Sequence, residues 1–297
     1  MKYISRIKYI LYIFYECIVH KKQVLNTFKK IHIKNNQHTL KYIIENHVSV
    51  SRFGDGEFTL ISGSDTDFQI FNTEIQHKLQ LVLSSQENNH ITCIPYIWKK
   101  PYTIKYDAFE YWASWLCNNL ETKVLPHLKR GKTYYDSTFT RFYIDYRNDK
   151  NAKMLIPLLK QIWNNQNICF IEGEQSRLGV GNDLFDNAIS ISRILCPTTN
   201  AFYVYDQIIE KVKEQPKDTL FLIALGMTAT CLAYDLSQLG YWAIDIGHID
   251  IEYEWYLMKA KKKVAIPNKY VAEISNHYTE NNIHNDTYQS QIIAKIS

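Results

Sequence analysis

Three motifs that identify common enzyme and metal-binding classes are missing from this chain of 297 residues. Its six cysteines form no C-x-x-C pair, its ten histidines include no H-x-x-x-H spacing, and no G-x-S-x-G motif occurs. These absences argue against a cysteine-based zinc site, a helical zinc-protease motif and a serine-hydrolase elbow. Several cysteines lie in apolar runs, so we expect reduced core thiols in a cytosolic protein rather than a disulfide framework.

A strong charge imbalance and a long apolar run are also absent. The net charge of +4 and the pI near 8.5 are too mild to indicate a nucleic-acid partner. Near the N-terminus, an apolar and aromatic run over residues 9–19 is interrupted by one glutamate and flanked by lysines. The run is too short and too charged to span a bilayer, which takes about 20 apolar residues. No small-residue cleavage site marks a signal peptide.

Residues 1–40 are predicted to form an N-terminal helical extension, and residues 41–297 the main domain. A basic, aromatic helix can lie on an anionic membrane surface as a peripheral contact. It can equally pack on the domain as an ordinary terminal helix, and the sequence leaves both interpretations open. We therefore expect a cytoplasmic protein, with the inner face of the membrane as the place of any such contact.

Apolar, strand-like segments alternate with amphipathic, helix-like segments through the main domain. The strand-like segments are residues 48–52, 90–94, 168–171, 190–195, 220–225 and 242–246. The helix-like segments are residues 39–46, 72–85, 106–125, 152–163, 201–213 and 228–239. This order predicts an α/β fold with a mostly parallel sheet and helices on both faces. Ligands bind at the carboxyl ends of the strands in such sheets, so polar loops that follow strands are candidate sites.

The loop after the first strand has the sequence RFGDGE over residues 52–57. In an extended turn, residues two positions apart point to the same side, so Asp55 and Glu57 are expected to converge. Paired carboxylates suit Mg²⁺ or Mn²⁺, which water and substrate phosphates usually complete. Arg52 adds a cation beside them. The alternative is an acidic turn on the protein surface.

Two further loops offer groups that bind anions. Arg177, in the glycine-rich loop over residues 172–183, can hold a phosphate through two parallel hydrogen bonds. Its alternative role is an ion pair with Glu172 or Glu174. A strand also ends at Gly226 and turns into a helix with Thr228 in its first turn, which presents free N–H groups to an anion. The alternative there is a plain turn in which Thr228 caps the helix.

Residues 245–255 form an acidic segment that begins at a strand end. His248 is a candidate metal ligand or phosphate donor, and Asp250 or Glu252 is a candidate base. The alternatives are a structural role for His248 and a solvent-exposed face for some of the carboxylates. A polar and aromatic segment includes Tyr134, Thr138, Arg141 and Tyr143. Such a segment can face an acceptor or a nucleotide, but a surface loop is the favoured interpretation.

Three stretches in this order resemble the bacterial GT-D-type glycosyltransferases: residues 52–57 (RFGDGE), 172–185 (EGEQSRLGVGNDLF) and 243–255 (AIDIGHIDIEYEW). The resemblance covers residues 48–260 and implies a Rossmann-like fold, a nucleotide-sugar donor and a D-x-E metal motif, which Asp55 and Glu57 match. One departure is Met227, at a position where the family's loop is expected to have proline.

The resemblance and the loops together predict a hexosyltransferase that uses Mn²⁺ or Mg²⁺ and a donor such as UDP-glucose or UDP-galactose. Its acceptor would be a glycan, a lipid-linked glycan or a glycoprotein in polysaccharide or glycoprotein assembly, with no nucleic-acid partner. The predicted site consists of the metal ligands Asp55, Glu57 and His248, the donor-binding residues Arg52, Glu174, Arg177, Gly226, Thr228 and Asp245, and the bases Asp250 and Glu252. A metal-dependent phosphohydrolase and a catalytically silent scaffold in a glycan-assembly complex remain as alternatives.

Overall fold

A computed structural model describes residues 26–274 and 285–297. Nine strands in these residues form one sheet, in which every neighbouring pair is parallel. The strands are β1 (His32–Ile33), β2 (Ser49–Arg52), β3 (His90–Ile94), β4 (Thr133–Asp136), β5 (Asn167–Gly173), β6 (Ser190–Cys196), β7 (Leu220–Ala224), β8 (Trp242–Asp245) and β9 (Ile292–Lys295). The predicted α/β fold with a mostly parallel sheet is therefore confirmed.

Helices cover both faces of this sheet. The described helices are α1 (Asn36–Asn46), α2 (Asp55–Ile61), α3 (Thr73–Ser84), α4 (Tyr106–Asn119), α5 (Lys150–Ile162), α6 (Tyr205–Lys213), α7 (Met227–Gln238), α8 (Ile249–Leu257) and α9 (Asp286–Gln291). No helix in these described stretches is both long and apolar enough to cross a membrane. The apolar run over residues 9–19 lies outside them, so the predicted membrane contact is not tested.

Strand order explains why several loops meet at one edge of the sheet. The spatial order is β1-β4-β3-β2-β8-β7-β5-β6-β9. The chain moves outward from β2 through β3 to β4, crosses to β5 and β6, and returns through β7 and β8 to lie beside β2. All strands are parallel, so their carboxyl ends, with the loops that follow them, lie on one edge.

Alternating side chains of the central strands enter two separate hydrophobic cores. Ile168 and Phe170 of β5 belong to the core under α1, α5 and α8, whereas Cys169 and Ile171 belong to the core under α3, α4, α6 and α7. Because both faces are buried, these strands are apolar at nearly every position. This is why they were recognisable in the sequence. The thiols of Cys93, Cys169, Cys196 and Cys231 are buried, as expected.

Three elements were wrongly expected to be loops. The segments that form β4 and α2 are short and rich in polar residues, so neither periodicity nor hydrophobicity marks them. The segment that forms α8 alternates apolar and acidic residues, so it lacks the periodicity of an amphipathic helix. The long helix predicted over residues 106–125 is also shorter than expected, since α4 ends at Asn119 and a π-helical turn follows over Leu120–Val124. The helix predicted over residues 39–46 begins earlier, at Asn36. The domain boundary at residue 40 stays a prediction.

A buried ion pair supports the loop after β5. The Glu172 side chain, which is fully buried, pairs with Arg193 of β6 and also accepts a hydrogen bond of 2.7 Å from the Leu178 N–H. Removing one charge of a buried pair leaves the other without compensation. We expect Glu172→Gln to lower the free energy of unfolding by about 3 kcal/mol in denaturant titrations.

The exposed pair of Lys211 with Glu214 provides the matched control for this prediction. Glu214→Gln should change the free energy of unfolding by less than about 0.5 kcal/mol, because surface pairs contribute little. Equal effects of the two substitutions would contradict the role assigned to Glu172.

Candidate active site

A cavity of about 390 Å³ opens at the carboxyl edge of the sheet. The loops that follow β2 to β8 all contribute residues to its lining, and Trp112 of α4 and the loop between α2 and α3 complete it. Of the predicted site residues, seven line the cavity: Arg52, Asp55, Glu57, Gly226, Asp245, His248 and Asp250. Four do not: Glu174, Arg177, Thr228 and Glu252.

The two carboxylates of the D-x-E motif lie in a helix and not in the extended turn that we expected. Asp55 and Glu57 fall in the first turn of α2, with Gly54 as its N-cap. Side chains two positions apart diverge in a helix, because each residue rotates by about 100°. Glu57 Oε2 accepts a hydrogen bond of 2.7 Å from the Gly54 N–H, and Asp55 Oδ2 accepts one from the Tyr111 hydroxyl. The hydrogen bond from Gly54 explains why Glu57 turns back along the helix. A glutamate at the N3 position commonly accepts a hydrogen bond from the N–H group of the N-cap residue.

Three carboxylates nevertheless interact electrostatically. Burial raises the pKa of Glu57 to about 7, and the negative charges of Asp245 and Asp55 add to this increase. The Thr230 hydroxyl lies 3.4 Å from both Glu57 Oε1 and Asp245 Oδ2, so it bridges two of the three groups. A concentration of like charges is relieved by protonation or by a bound cation. The site is therefore suited to a positively charged ligand.

An ion pair between Arg52 and Asp245 forms part of the cavity wall. Arg52 Nη2 lies 2.8 Å from Asp245 Oδ1, and Arg52 Nε donates to the Asp245 carbonyl oxygen at 2.9 Å. Arg52 Nη1 donates to Thr140 Oγ1 at 2.7 Å. Gly247 has a φ of 45°, and a Cβ atom there would lie 1.9 Å from Arg52 Nη2. The glycine thus leaves the space that the guanidinium occupies.

The turn from β7 into α7 places a helix N-terminus at the cavity. Gly226 caps the helix with a φ of 53°, and a Cβ atom there would lie 2.9 Å from the Phe68 ring. Met227 also lines the cavity, and its sulfur would lie 2.9 Å from a Cβ atom added at Gly56. Thr228 is buried instead, 3.4 Å from Gln69 Oε1, so the expectation that Thr228 caps the helix is wrong.

The structure places Arg177 away from the cavity. Its guanidinium lies over the Tyr288 ring, 4.9 Å from the ring centroid, whereas its neighbours Ser176 and Leu178 line the cavity. A φ of 49° at Arg177 turns its side chain to the other side of the loop. The predicted diphosphate role of Arg177 is at odds with this placement. The alternative pair with Glu172 is also wrong, because Glu172 pairs with Arg193.

Arg141 is the cation that sequence reasoning missed. It follows β4, lines the cavity, and keeps a third of its side-chain surface exposed, while Arg141 Nη2 lies 2.7 Å from Glu273 Oε1. His248 Nδ1 lies 3.3 Å from the other oxygen of Glu273, and burial lowers the pKa of His248. The available signal was an arginine among hydroxyl residues, but β4 was not recognised and the segment was taken for a surface loop.

Of the two predicted bases, Asp250 lines the cavity and Glu252 does not. Asp250 Oδ1 accepts hydrogen bonds from the Gly179 N–H at 3.0 Å and from Asn182 Nδ2 at 2.8 Å, and Asp250 Oδ2 accepts one from Lys269 Nζ at 2.7 Å. These bonds indicate that Asp250 anchors the loop after β5, although it also lines the cavity. Glu252 does not reach the cavity, so a role for it as base is at odds with the structure.

Glu252 connects α8 to the segment after β4. Its Oε2 accepts hydrogen bonds from the N–H groups of Tyr143 and Ile144 at 2.9 and 3.0 Å, and burial raises its pKa to about 7, an effect to which Asp145 adds. The folded state therefore favours the protonated form. The stabilisation that protonated Glu252 gives to the folded state is fully present below the unfolded-state pKa of 4.5. It is lost as the pH rises through about 7.

We expect Glu252→Gln to weaken the pH dependence of stability. Between pH 4.5 and pH 8, wild type should lose about 3 kcal/mol more in free energy of unfolding than the variant, since glutamine keeps the acceptor oxygen and cannot ionise. Denaturant titrations across this pH range measure the difference. Parallel pH profiles for the two proteins would show that Glu252 does not titrate in this range.

The model of the family described as "Glycosyltransferase GT-D fold" matches residues 50–274. Glycosyltransferase GlyD of Streptococcus pneumoniae serotype 4 is 35% identical over 268 residues, which are 90% of this chain and 33% of that protein. The probable glycosyl transferase Gly of Streptococcus gordonii is 35% identical over 273 residues, which are 91% of this chain and 39% of that protein. The chain thus spans little more than a third of the length of these relatives.

Two solved structures share the fold closely. A domain described as having a distinct glycosyltransferase fold is 34% identical with a TM-score of 0.88, over 93% of this chain and 100% of that one. A glycosyltransferase from Streptococcus sanguinis is 36% identical with a TM-score of 0.85, over 90% of this chain and 100% of that one. The cavity and its motif, the family match and these structures together show that the chain belongs to the GT-D-fold glycosyltransferases.

Proposed function

We propose that this domain transfers a hexose from a nucleotide sugar, such as UDP-glucose or UDP-galactose, to a glycan acceptor. One observation supports this proposal above the others. A single cavity combines a group of carboxylates with a helix N-terminus and an arginine. The carboxylates suit a divalent cation, and the helix N-terminus and the arginine suit the diphosphate of the donor.

The carboxylates fit Mn²⁺ or Mg²⁺ by their chemistry. Asp55, Glu57 and Asp245 line one cavity and offer hard oxygen atoms. Burial is the main cause of the raised pKa of Glu57, and the negative charges of Asp245 and Asp55 add to it. In the stretches 26–274 and 285–297, no three or more His, Cys, Asp and Glu side chains are arranged as a ready metal site. We therefore assign Asp55 and Glu57 as protein ligands, with donor phosphates and water as the others. The bound cation would stabilise the negative charge of the leaving nucleoside diphosphate.

The diphosphate is proposed to bind between the α7 N-terminus and Arg141. The first N–H groups of a helix have no partner within the helix and favour anions. Arg141 lies at the cavity with part of its guanidinium exposed, in the role first predicted for Arg177. Glu273 holds Arg141 in place through the contact with Arg141 Nη2, and a guanidinium offers five planar donor groups in total.

The acceptor is proposed to be a glycan in polysaccharide or glycoprotein assembly, either free, lipid-linked or on a protein. A phosphohydrolase would release the sugar to water, and a silent scaffold would release nothing. A screen of UDP-hexoses with Mn²⁺, analysed for both transferred and released sugar, separates the three functions.

We expect Asp55→Asn to lose roughly 10²-fold or more in turnover of the UDP-hexose, because an electrostatic group at the reacting charge is removed. Calorimetry should also show weaker Mn²⁺ binding in the presence of UDP. The exposed residue Asp65 provides a control, since Asp65→Asn leaves these carboxylates intact. Full turnover in EDTA, or unchanged Mn²⁺ affinity in Asp55→Asn, would exclude the metal role.

Arg141→Gln should weaken UDP binding by roughly tenfold, which is the effect of losing one hydrogen bond to a charged group. The exposed residue Arg130 is the matched control, and Arg130→Gln should bind UDP as wild type does. Arg177→Gln should lower the melting temperature, through lost contact with Tyr288, and leave the UDP affinity unchanged. The reverse result, with UDP affinity lost in Arg177→Gln alone, would restore the role first predicted for Arg177.

A further inference from the structure

The aromatic helix α4 contributes one residue to the lining of the cavity. The sequence of this helix, YDAFEYWASWLCNN, has Asp107 and Glu110 as its only charged residues. Trp112 is the residue of this helix that lines the cavity. An acidic helix with an aromatic side chain at the cavity disfavours a diphosphate and suits a neutral ligand with apolar faces.

The Trp112 ring is held in a fixed position by its aromatic neighbours. Its centroid lies 5.8 Å from Trp98, 6.0 Å from Trp115 and 5.4 Å from Tyr111, with interplanar angles of 68°, 81° and 78°. Edge-to-face contacts of this kind fix the plane of a ring. Trp112 also remains partly exposed, in contrast to Trp98, which is 1% exposed. A ligand would therefore meet a preorganised aromatic surface.

Tyr111 connects this surface to the carboxylates. Its hydroxyl donates a hydrogen bond to Asp55 Oδ2, and half of its surface is exposed. A sugar on Trp112 would consequently have its hydroxyl groups close to Asp55. The features that suit the donor phosphates belong to other elements, the N-terminus of α7 at Gly226 and the segment after β4 at Arg141.

We propose that Trp112 and Tyr111 form the acceptor subsite, which binds a neutral sugar residue of the glycan by stacking its apolar face on Trp112. This inference rests on the proposed transferase function and adds the position at which the acceptor binds. Aromatic side chains combine a large apolar surface with defined geometry, and binding pockets use them with a few polar groups for orientation. The polar groups here are the Tyr111 hydroxyl and the Asp55 carboxylate.

The test uses the full chain with ¹⁵N-labelled tryptophan indoles and three probes: the methyl glycosides of glucose, galactose and N-acetylglucosamine. Each is titrated with and without UDP and Mn²⁺. The indole signal of Trp112, assigned by its loss in Trp112→Phe, should shift in a saturable manner with at least one glycoside. Trp112→Leu lacks this indole signal, so its glycoside binding is measured by calorimetry beside wild type, and it should be at least about fivefold weaker, as expected for a lost aromatic contact.

Trp115 supplies the matched control, because it belongs to the same cluster and is not among the residues that line the cavity. Trp115→Leu should lower the melting temperature, as Trp112→Leu does, and should weaken glycoside binding less than Trp112→Leu does, because it leaves the Trp112 ring at the cavity. Trp112→Phe keeps an aromatic ring in the cluster. It provides a second measurement of glycoside binding if Trp112→Leu does not fold.

The acceptor subsite is overturned if no glycoside shifts the Trp112 signal, or if the Trp112 variants bind the glycoside as tightly as wild type. It is also overturned if the same variants lose UDP affinity, since the ring would then contact the donor. A wild-type protein that binds glycoside on Trp112 but does not bind UDP would overturn the transferase function and leave a sugar-binding site. The failure of the acceptor subsite and the failure of the transferase function are therefore distinguishable.

Discussion

The ion pair between Arg52 and Asp245 is the interaction on which the candidate site depends. It joins the carboxyl ends of β2 and β8, which are neighbours in the sheet but distant in the sequence. Arg52 partly compensates the charge of Asp245, whose pKa is nevertheless raised by burial, and this carboxylate in turn raises the pKa of Glu57. The charge balance of the cavity is therefore set where the two strands meet.

Sequence reasoning identified the elements that are buried on both faces. β3 was predicted with its observed bounds, and the helix predicted over residues 72–85 is observed as α3, which Asn72 caps through its side chain. Both have strong local signals, an apolar run in one case and a capping residue before a periodic helix in the other. The polar β4 and the short α2 have neither signal, so their conformations depend on packing that appears only in the folded chain.

The sequence predicted which loops contribute to the candidate site, but it did not predict the directions in which their side chains point. Asp55, Glu57, Gly226 and Asp245 all line the cavity, because parallel strands bring their loops to one edge. Arg177 was a reasonable choice by chemistry, yet a positive φ turns it towards Tyr288. A pattern of residue types specifies which chemistry a loop offers, whereas backbone dihedral angles decide where each side chain points.

The close approach of Gly247 to the Arg52 guanidinium has a consequence for how this family can vary. A Cβ atom at residue 247 would overlap with the guanidinium of Arg52, so a residue other than glycine there requires the arginine side chain to move or to be replaced by a shorter one. Relatives that replace the glycine should also have a shorter side chain in place of the arginine. The two positions form one steric unit, and they are expected to covary even though they lie far apart in the sequence.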